Sequence, residues 1–182
     1  MDVDGLIEFI SEAGRLKRLP RTGWVESGVP DPESVADHSF RVALIALVLA
    51  EERGLDALRV VRMALIHDLA EAETGDLTPA QKGAAPEDAM RAEEAAMARI
   101  VDRLPGKLRG TYAAAWREFC ESATEEARLV RDADKLEMVI QASEYQSAGG
   151  SAQKLMRFWH AEILGEDARA VRDAIRRRAR PV

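Results

Sequence analysis

Residues 64–70 read A-L-I-H-D-L-A and set a histidine and an aspartate, His67 and Asp68, inside an otherwise apolar helical run. Such a run is buried, and a buried carboxylate must be paired or bound to a cation. Other parts of the chain must therefore bring compensating groups to this pair, which restricts how they can fold. Neighbours on a helix point about 100° apart. The two side chains thus reach one ion only if it sits over the edge between them. On the dipeptide alone, a His–Asp pair that crosslinks helices and a pair of metal ligands stand level.

The rest of the chain reads as helices. It has 182 residues, enough for one domain with a substantial core. Only 5% of residues are aromatic, while alanine and leucine abound, a balance that favours helix over strand. Leu6, Ile7, Phe9, Ile10, Ala13 and Leu16 form a stripe at helical spacing over residues 3–17. Pro20, Gly23, Gly28, Pro30 and Pro32 make 18–34 an irregular loop, and loops of that length are often functional. Ser34 or Asp37 caps a second helix, which runs through His38 to about Arg53 and stops at Gly54. A third helix runs from about Asp56 to Glu73, closed by Gly75, and a second loop follows to Pro86. Further helices are expected over about 86–104, 107–120, 124–146, 153–163 and 167–180. No strand alternation or internal repeat interrupts them. The fold class is all-α, a single bundle.

The formal net charge of −6 argues against duplex nucleic acid as a partner. The one basic cluster, Arg172, Arg176, Arg177, Arg178 and Arg180, suits a solvated last helical turn. Cys120, the single cysteine, excludes an internal disulfide and a cysteine-rich metal site. The N-terminus M-D-V-D-G lacks a signal-peptide layout, and the longest apolar run, 42–50, is too short for a bilayer. A cytoplasmic protein without a membrane partner is the expectation.

Several residues are candidates for chemistry. His38, in A-D-H-S-F-R-V-A, supplies a second imidazole at the start of the preceding helix. Asp132 and Asp134 lie two residues apart and face different ways, so one is expected inside and the other in solvent. Two histidines and two aspartates form a hard-to-borderline ligand set. It suits Mn, Co, Mg, Fe, Ni or Zn with positions left for substrate, and such an ion polarises a phosphoryl oxygen. Glu71 follows His67 by four residues and projects from the same side of the helix. Asp76 lies beyond the helix end. Taken alone, Glu71 is a solvated helix carboxylate and Asp76 a turn former. In the first loop, Arg21 offers a planar fork suited to phosphate, with Lys17 and Arg18 as competitors. The Trp24 ring either packs against a base or shields the site. His160, beside Phe158 and Trp159, reads as a packing residue. Glu137, Glu144 and Tyr145 read as supporting residues without a catalytic role.

The order H…HD…D, here His38, His67-Asp68 and Asp134, resembles the HD-domain metal-dependent phosphohydrolases. Five blocks extend the likeness: L-K-R-L-P-R-T-G-W-V (16–25), P-E-S-V-A-D-H-S (32–39), A-L-I-H-D-L-A-E (64–71), G-D-L-T-P-A (75–80) and I-Q-A-S-E-Y (140–145). Together they are similar to the HD domain-containing protein 2 branch, whose members are 5′-deoxynucleotidases. The resemblance implies one HD-type helical domain over 1–182, with a metal-site core at about 34–147 and C-terminal helices at about 151–180. It implies a divalent ion held by His38, His67, Asp68 and Asp134, and an acidic catalytic pair, Glu71 and Asp76. For some relatives it implies instead a second ion on Glu71, Asp76 and the carbonyl of Leu77, and both roles stay open. It favours Arg21 as the phosphate clamp; Trp24, Asp76, Leu77 and Thr78 complete the expected substrate site, with the turn at 76–79 as the expected wall against C2′. The implied substrate is a deoxyribonucleoside 5′-monophosphate, and the implied assembly is a homodimer. Two other readings stand beside this one. One is an HD phosphohydrolase for a triphosphate, cyclic nucleotide or alarmone. The other is a non-catalytic interaction module stapled by its metal.

Overall fold

The computed structural model describes residues 2–179. Helix starts follow their capping signals. Asp2 accepts from the Gly5 amide at 3.0 Å and begins α1 (Val3–Arg15), which runs into a 3-10 turn, Leu16–Arg18. A short helix, α2 (Thr22–Glu26), occupies the first loop. That loop is less irregular than its prolines and glycines suggest. The Arg21 amide donates to the Glu33 carbonyl at 3.0 Å, and the Val35 amide to the Leu19 carbonyl at 2.8 Å. These bonds pin both ends of the loop to the start of the next helix. Ser34, not Asp37, is the cap of α3 (Val35–Arg53), and Asp37 completes a capping box with it. Gly54, at φ 68°, ends α3.

Asp56 caps α4 (Ala57–Ile66). Here the structure corrects the expected third helix, which does not run on to Glu73. Regular helix stops at Ile66, and the amides of Leu69, Glu71 and Ala72 bond back three residues rather than four. The chain tightens through His67 and Asp68 and resumes as one turn, α5 (Glu71–Thr74). Gly75 then takes φ 79° and ψ 160°, a conformation essentially reserved for glycine, and Asp76 turns back towards the bundle. The second loop also holds a helix that was not foreseen, α6 (Pro79–Ala84), with a Thr78–Gln81 capping box.

The remaining helices are α7 (Pro86–Asp102), α8 (Gly106–Glu121), α9 (Glu125–Ser147), α10 (Ala152–Trp159) and α11 (Glu166–Ala179). Arg180, included in the expected last helix, lies outside the described residues. The described residues form no strand, only an isolated bridge between Pro20 and Ser34. Helices α3, α4 and α9 make the centre, with α7 and α8 against one side and α10 and α11 along α9. Val42, Ala43, Ala46 and Ala50 of α3 meet Leu129, Val130 and Ala133 of α9 in the main core. The small residues let the two backbones approach closely.

Burial departs from the sequence pattern in two places. In the α1 stripe, Phe9 and Ala13 pack on the core, while Ile7 and Ile10 are 56% and 60% exposed. Asp132 and Asp134 are both buried. Asp132 accepts from the amides of Leu164 and Gly165 at 2.8 and 2.6 Å and so ties the turn before α11 to α9. A Cβ at position 165 would lie 2.5 Å from the Asp132 carboxylate, which accounts for the glycine there. No described helix is long and apolar enough to cross a membrane.

Candidate active site

Three elements bring the central cluster together. His38 lies one turn into α3, His67 and Asp68 sit in the tight turn after α4, and Asp134 lies on α9. One donor atom each from His38, His67 and Asp134 fall within 4.8 Å of one another. His38 Nε2 is 3.2 Å from Asp134 Oδ1 and 3.8 Å from Asp68 Oδ2, and His67 Nε2 is 3.1 Å from Asp68 Oδ2. The tight turn brings His67 and Asp68 to one point, which a continuous helix does less well.

Both imidazoles are oriented from behind. His67 Nδ1 donates to the Ala64 carbonyl at 2.7 Å, and His38 Nδ1 lies 2.6 Å from Glu137 Oε2. Each ring is thereby turned so that Nε2 faces the cluster. Those two Nε2 atoms are buried and make no hydrogen bond of proper geometry, despite the carboxylates nearby. Buried polar atoms without partners are uncommon and call for an explanation. Two unpartnered imidazole nitrogens facing two carboxylates fit a divalent cation of borderline hardness.

Arg21 joins the cluster through Asp68. Its Nη1 lies 3.1 Å from Asp68 Oδ2, 3.3 Å from Asp76 Oδ1 and 4.0 Å from Glu71 Oε2. Burial disfavours its charge, but these three carboxylates outweigh that and hold the guanidinium firmly protonated. Glu71 is 4% exposed, and its Oε2 has no hydrogen-bond partner. Burial, with the charges of Asp68 and Asp76, pushes its carboxyl up to about 10. For His38, burial and Arg21 act to lower the pKa, yet Asp134 and Glu137 overcome them and raise it to about 9. Asp68 is held well below the usual carboxylate range, because His67, Arg21 and His38 outweigh the effect of burial.

The other candidates differ in how free they are. Asp76 is fastened to the start of α2: it accepts from the Thr22 amide, and its own carbonyl accepts from the Thr22 hydroxyl at 2.6 Å. It is therefore less mobile than a turn residue in open loop. The Thr78 hydroxyl is engaged in capping α6, so Thr78 offers a surface rather than a free donor. Leu77 lines the same cleft. Trp24 is 1% exposed, packed against Phe158 at a centroid distance of 3.7 Å, and its indole N–H donates to Glu33. Of the two roles considered for it, this burial matches shielding rather than stacking. His160 lies exposed at the end of α10, away from the cluster.

His67, Asp68, Asp134, Arg21, Glu71 and Asp76 line a cleft of about 410 Å³, while His38 is fully buried beside it. Beyond the charged cluster its walls include Met90, Trp116, Phe119 and Met138, with Lys82, Arg131 and Lys135 among them. Lys135 Nζ lies 2.9 Å from Asp134 Oδ2. Lys135 and Lys82 line the cleft although nothing in the sequence marked them, whereas Glu137, expected as a supporting residue, stands behind His38. Glu137 follows Asp134 by three residues and so shares its face of α9.

The HD domain family matches residues 13–176 of the chain. The Mus musculus 5′-deoxynucleotidase HDDC2 is 42% identical over 155 residues, covering 85% of this chain and 77% of that protein. Among solved structures, a conserved hypothetical protein from Pyrococcus furiosus superposes with a TM-score of 0.80 at 38% identity, over 94% of this chain and 99% of that one. A protein from Magnetospirillum magnetotacticum, described as a predicted metal-dependent phosphohydrolase, gives a TM-score of 0.73 at 26% identity, over 96% of this chain and 91% of that one.

Proposed function

The chain belongs to the HD-domain family, and from that premise we propose that it is a divalent-metal-dependent 5′-deoxynucleotidase. Its reaction is hydrolysis of a deoxyribonucleoside 5′-monophosphate to the deoxyribonucleoside and phosphate. The observation that carries this reading is the pair of buried, unpartnered Nε2 atoms facing Asp68 and Asp134, with Arg21 and Glu71 beside Asp68 in the adjoining cleft. A structural metal staple has no need of the last two. The 42% identity with the mouse 5′-deoxynucleotidase, over most of both chains, supports the substrate class.

His38, His67, Asp68 and Asp134 are the proposed ligands. The ion they would hold would supply positive charge beside the phosphoryl oxygens and beside Glu71, favouring the ionised carboxylate. Arg21, whose Nη1 is already ringed by acids, takes the phosphate through its fork of donors. Glu71 orients the attacking water and accepts its proton as the new P–O bond forms. The bond from phosphorus to the 5′-oxygen breaks in line. Asp76, held beside Thr22, relays that proton to the departing 5′-oxygen or binds the 3′-hydroxyl. A second ion on Glu71, Asp76 and the Leu77 carbonyl is the other assignment of those acids. The turn through Leu77 and Thr78 forms the wall against a 2′-hydroxyl, and Trp24 closes the site from behind. A homodimer accompanies this reading, supported by apolar side chains left in solvent, Ile7, Ile10, Phe40, Leu44 and Val48, each more than half exposed.

The test is phosphate release. Metal-stripped protein is given Mn, Co, Mg, Fe, Ni or Zn in turn with a panel of nucleotides. Restored activity on deoxynucleoside monophosphates, with little on ribonucleotides, is the expected result. Turnover confined to triphosphates or cyclic nucleotides would replace the substrate assignment. Ion binding without any turnover would favour a structural metal.

A further inference from the structure

Glu137 is 0% exposed in the middle of α9, and the proposed reaction gives it nothing to do. An ionised carboxylate in that position must be paired. It has two partners. Oε2 lies 2.6 Å from His38 Nδ1, and Oε1 accepts from Arg41 Nε and Nη2 at 2.9 and 2.7 Å. Arg41 in turn bonds Glu144 at 2.8 Å and approaches Glu33 at 3.9 Å. The acidic group Glu33, His38 and Glu137 has ligand atoms close enough for a cation of its own. Arg41 already supplies that positive charge, so a second ion site behind His38 is unnecessary.

We propose that Glu137 is a positioning residue for the ion site: its carboxylate accepts the His38 Nδ1–H, fixes the ring's tautomer and aims Nε2 at the cluster, while Arg41 neutralises the remaining charge. The two histidines differ in this respect. His67 leans on a neutral backbone carbonyl, whereas His38 leans on a carboxylate, which raises the basicity of its free nitrogen. His38 is thus the stronger donor of the pair, and its strength comes from a residue one turn along from Asp134. Arg41 keeps Glu137 ionised without competing for His38, because it bonds the other oxygen, Oε1.

The inference rests on the proposed ion site, and the experiment separates the two. Metal-free full-length protein is titrated with Co²⁺, following its visible absorption, for wild type, His38→Ala, Glu137→Gln and Glu137→Ala. Glu137→Ala is expected to bind about 10- to 100-fold more weakly. Glu137→Gln keeps the shape and an acceptor but removes the charge. Its expected loss is about tenfold, with a shifted Co²⁺ spectrum. Nitrogen-15 NMR of the Zn²⁺-loaded protein, which has only three histidines, reads the His38 ring directly. Its Nδ1–H signal should move in both variants, while that of His67 stays. Binding that is lost in His38→Ala but unchanged in both Glu137 variants, with an unchanged spectrum, would overturn the role of Glu137 alone. A wild type that binds no Co²⁺ would overturn the ion site and this role with it. If Glu137→Ala fails to fold, the near-isosteric Glu137→Gln decides.

Discussion

The two sides of the cleft are built differently. His38 and Asp134 stand on α3 and α9, two long helices packed together through the core, and Glu137 and Arg41 support His38 from behind. Glu71, Asp76 and Arg21 stand on single turns and loop ends, joined to one another and to Thr22 by polar bonds. Helix packing resists displacement over many contacts, whereas a loop end is held by a few. The first side suits a fixed ion; the second suits groups that meet a substrate and exchange protons. His67 and Asp68 belong to both, since they end α4 and begin the turn.

The largest effect is expected where the sides join. Asp68→Ala removes a proposed ligand and a partner of Arg21, so ion binding and phosphate release should both fall to background, measured by titration and phosphate assay. Retained ion binding would mean that the long-helix side holds the ion unaided. Next, Arg21→Lys keeps a charge but loses the fork. A fall in kcat/KM of roughly 10- to 100-fold is expected, about 1.4–2.7 kcal/mol at 1.36 kcal/mol per tenfold, with ion affinity nearly unchanged. If ion affinity dropped equally, Arg21 would belong to the fixed side.

A subtler consequence concerns protons. Asp134 and Glu137 raise His38 to about 9, so without an ion it is charged at neutral pH. An arriving cation must displace that proton. Ion affinity should therefore rise with pH up to about 9, and calorimetry in buffers of different ionisation enthalpy should show release of about one proton or more per ion. The smallest effect concerns Glu73, two residues past Glu71. It points away from the cleft, to Arg99 at 2.6 Å. Glu73→Ala should leave turnover alone and cost under about 1 kcal/mol in a denaturant melt, as partly exposed pairs do.

Much of the candidate site was legible because its residues lie on periodic helices or beside strong breaks. His38 follows a capping signal, Asp134 sits in an apolar repeat, and Gly75 marks the turn to Asp76. What escaped depended on tertiary contacts. The chain tightens at His67 although 64–70 reads as continuous helix. Apolar periodicity reports which face is buried, not whether hydrogen bonds span three residues or four. Helices α2 and α6 were hidden because glycine and proline read as loop, while Pro79 in fact occupies a favourable first-turn position. The solvated place expected for one of Asp132 and Asp134 failed because two backbone amides from the turn before α11 reach Asp132. Nothing local announces a bond across 32 residues. The exposure of Ile7 and Ile10 is likewise a matter of which helices lie beside α1, and an apolar stripe does not name its neighbour.

The most direct test of a fixed ion side and a reacting side is phosphate release by Glu71→Gln, measured with the protein saturated in the activating ion. The account predicts turnover at least about 100-fold below wild type, the scale of a lost proton-transfer group, with the ion still bound. Wild-type turnover in that variant would contradict it.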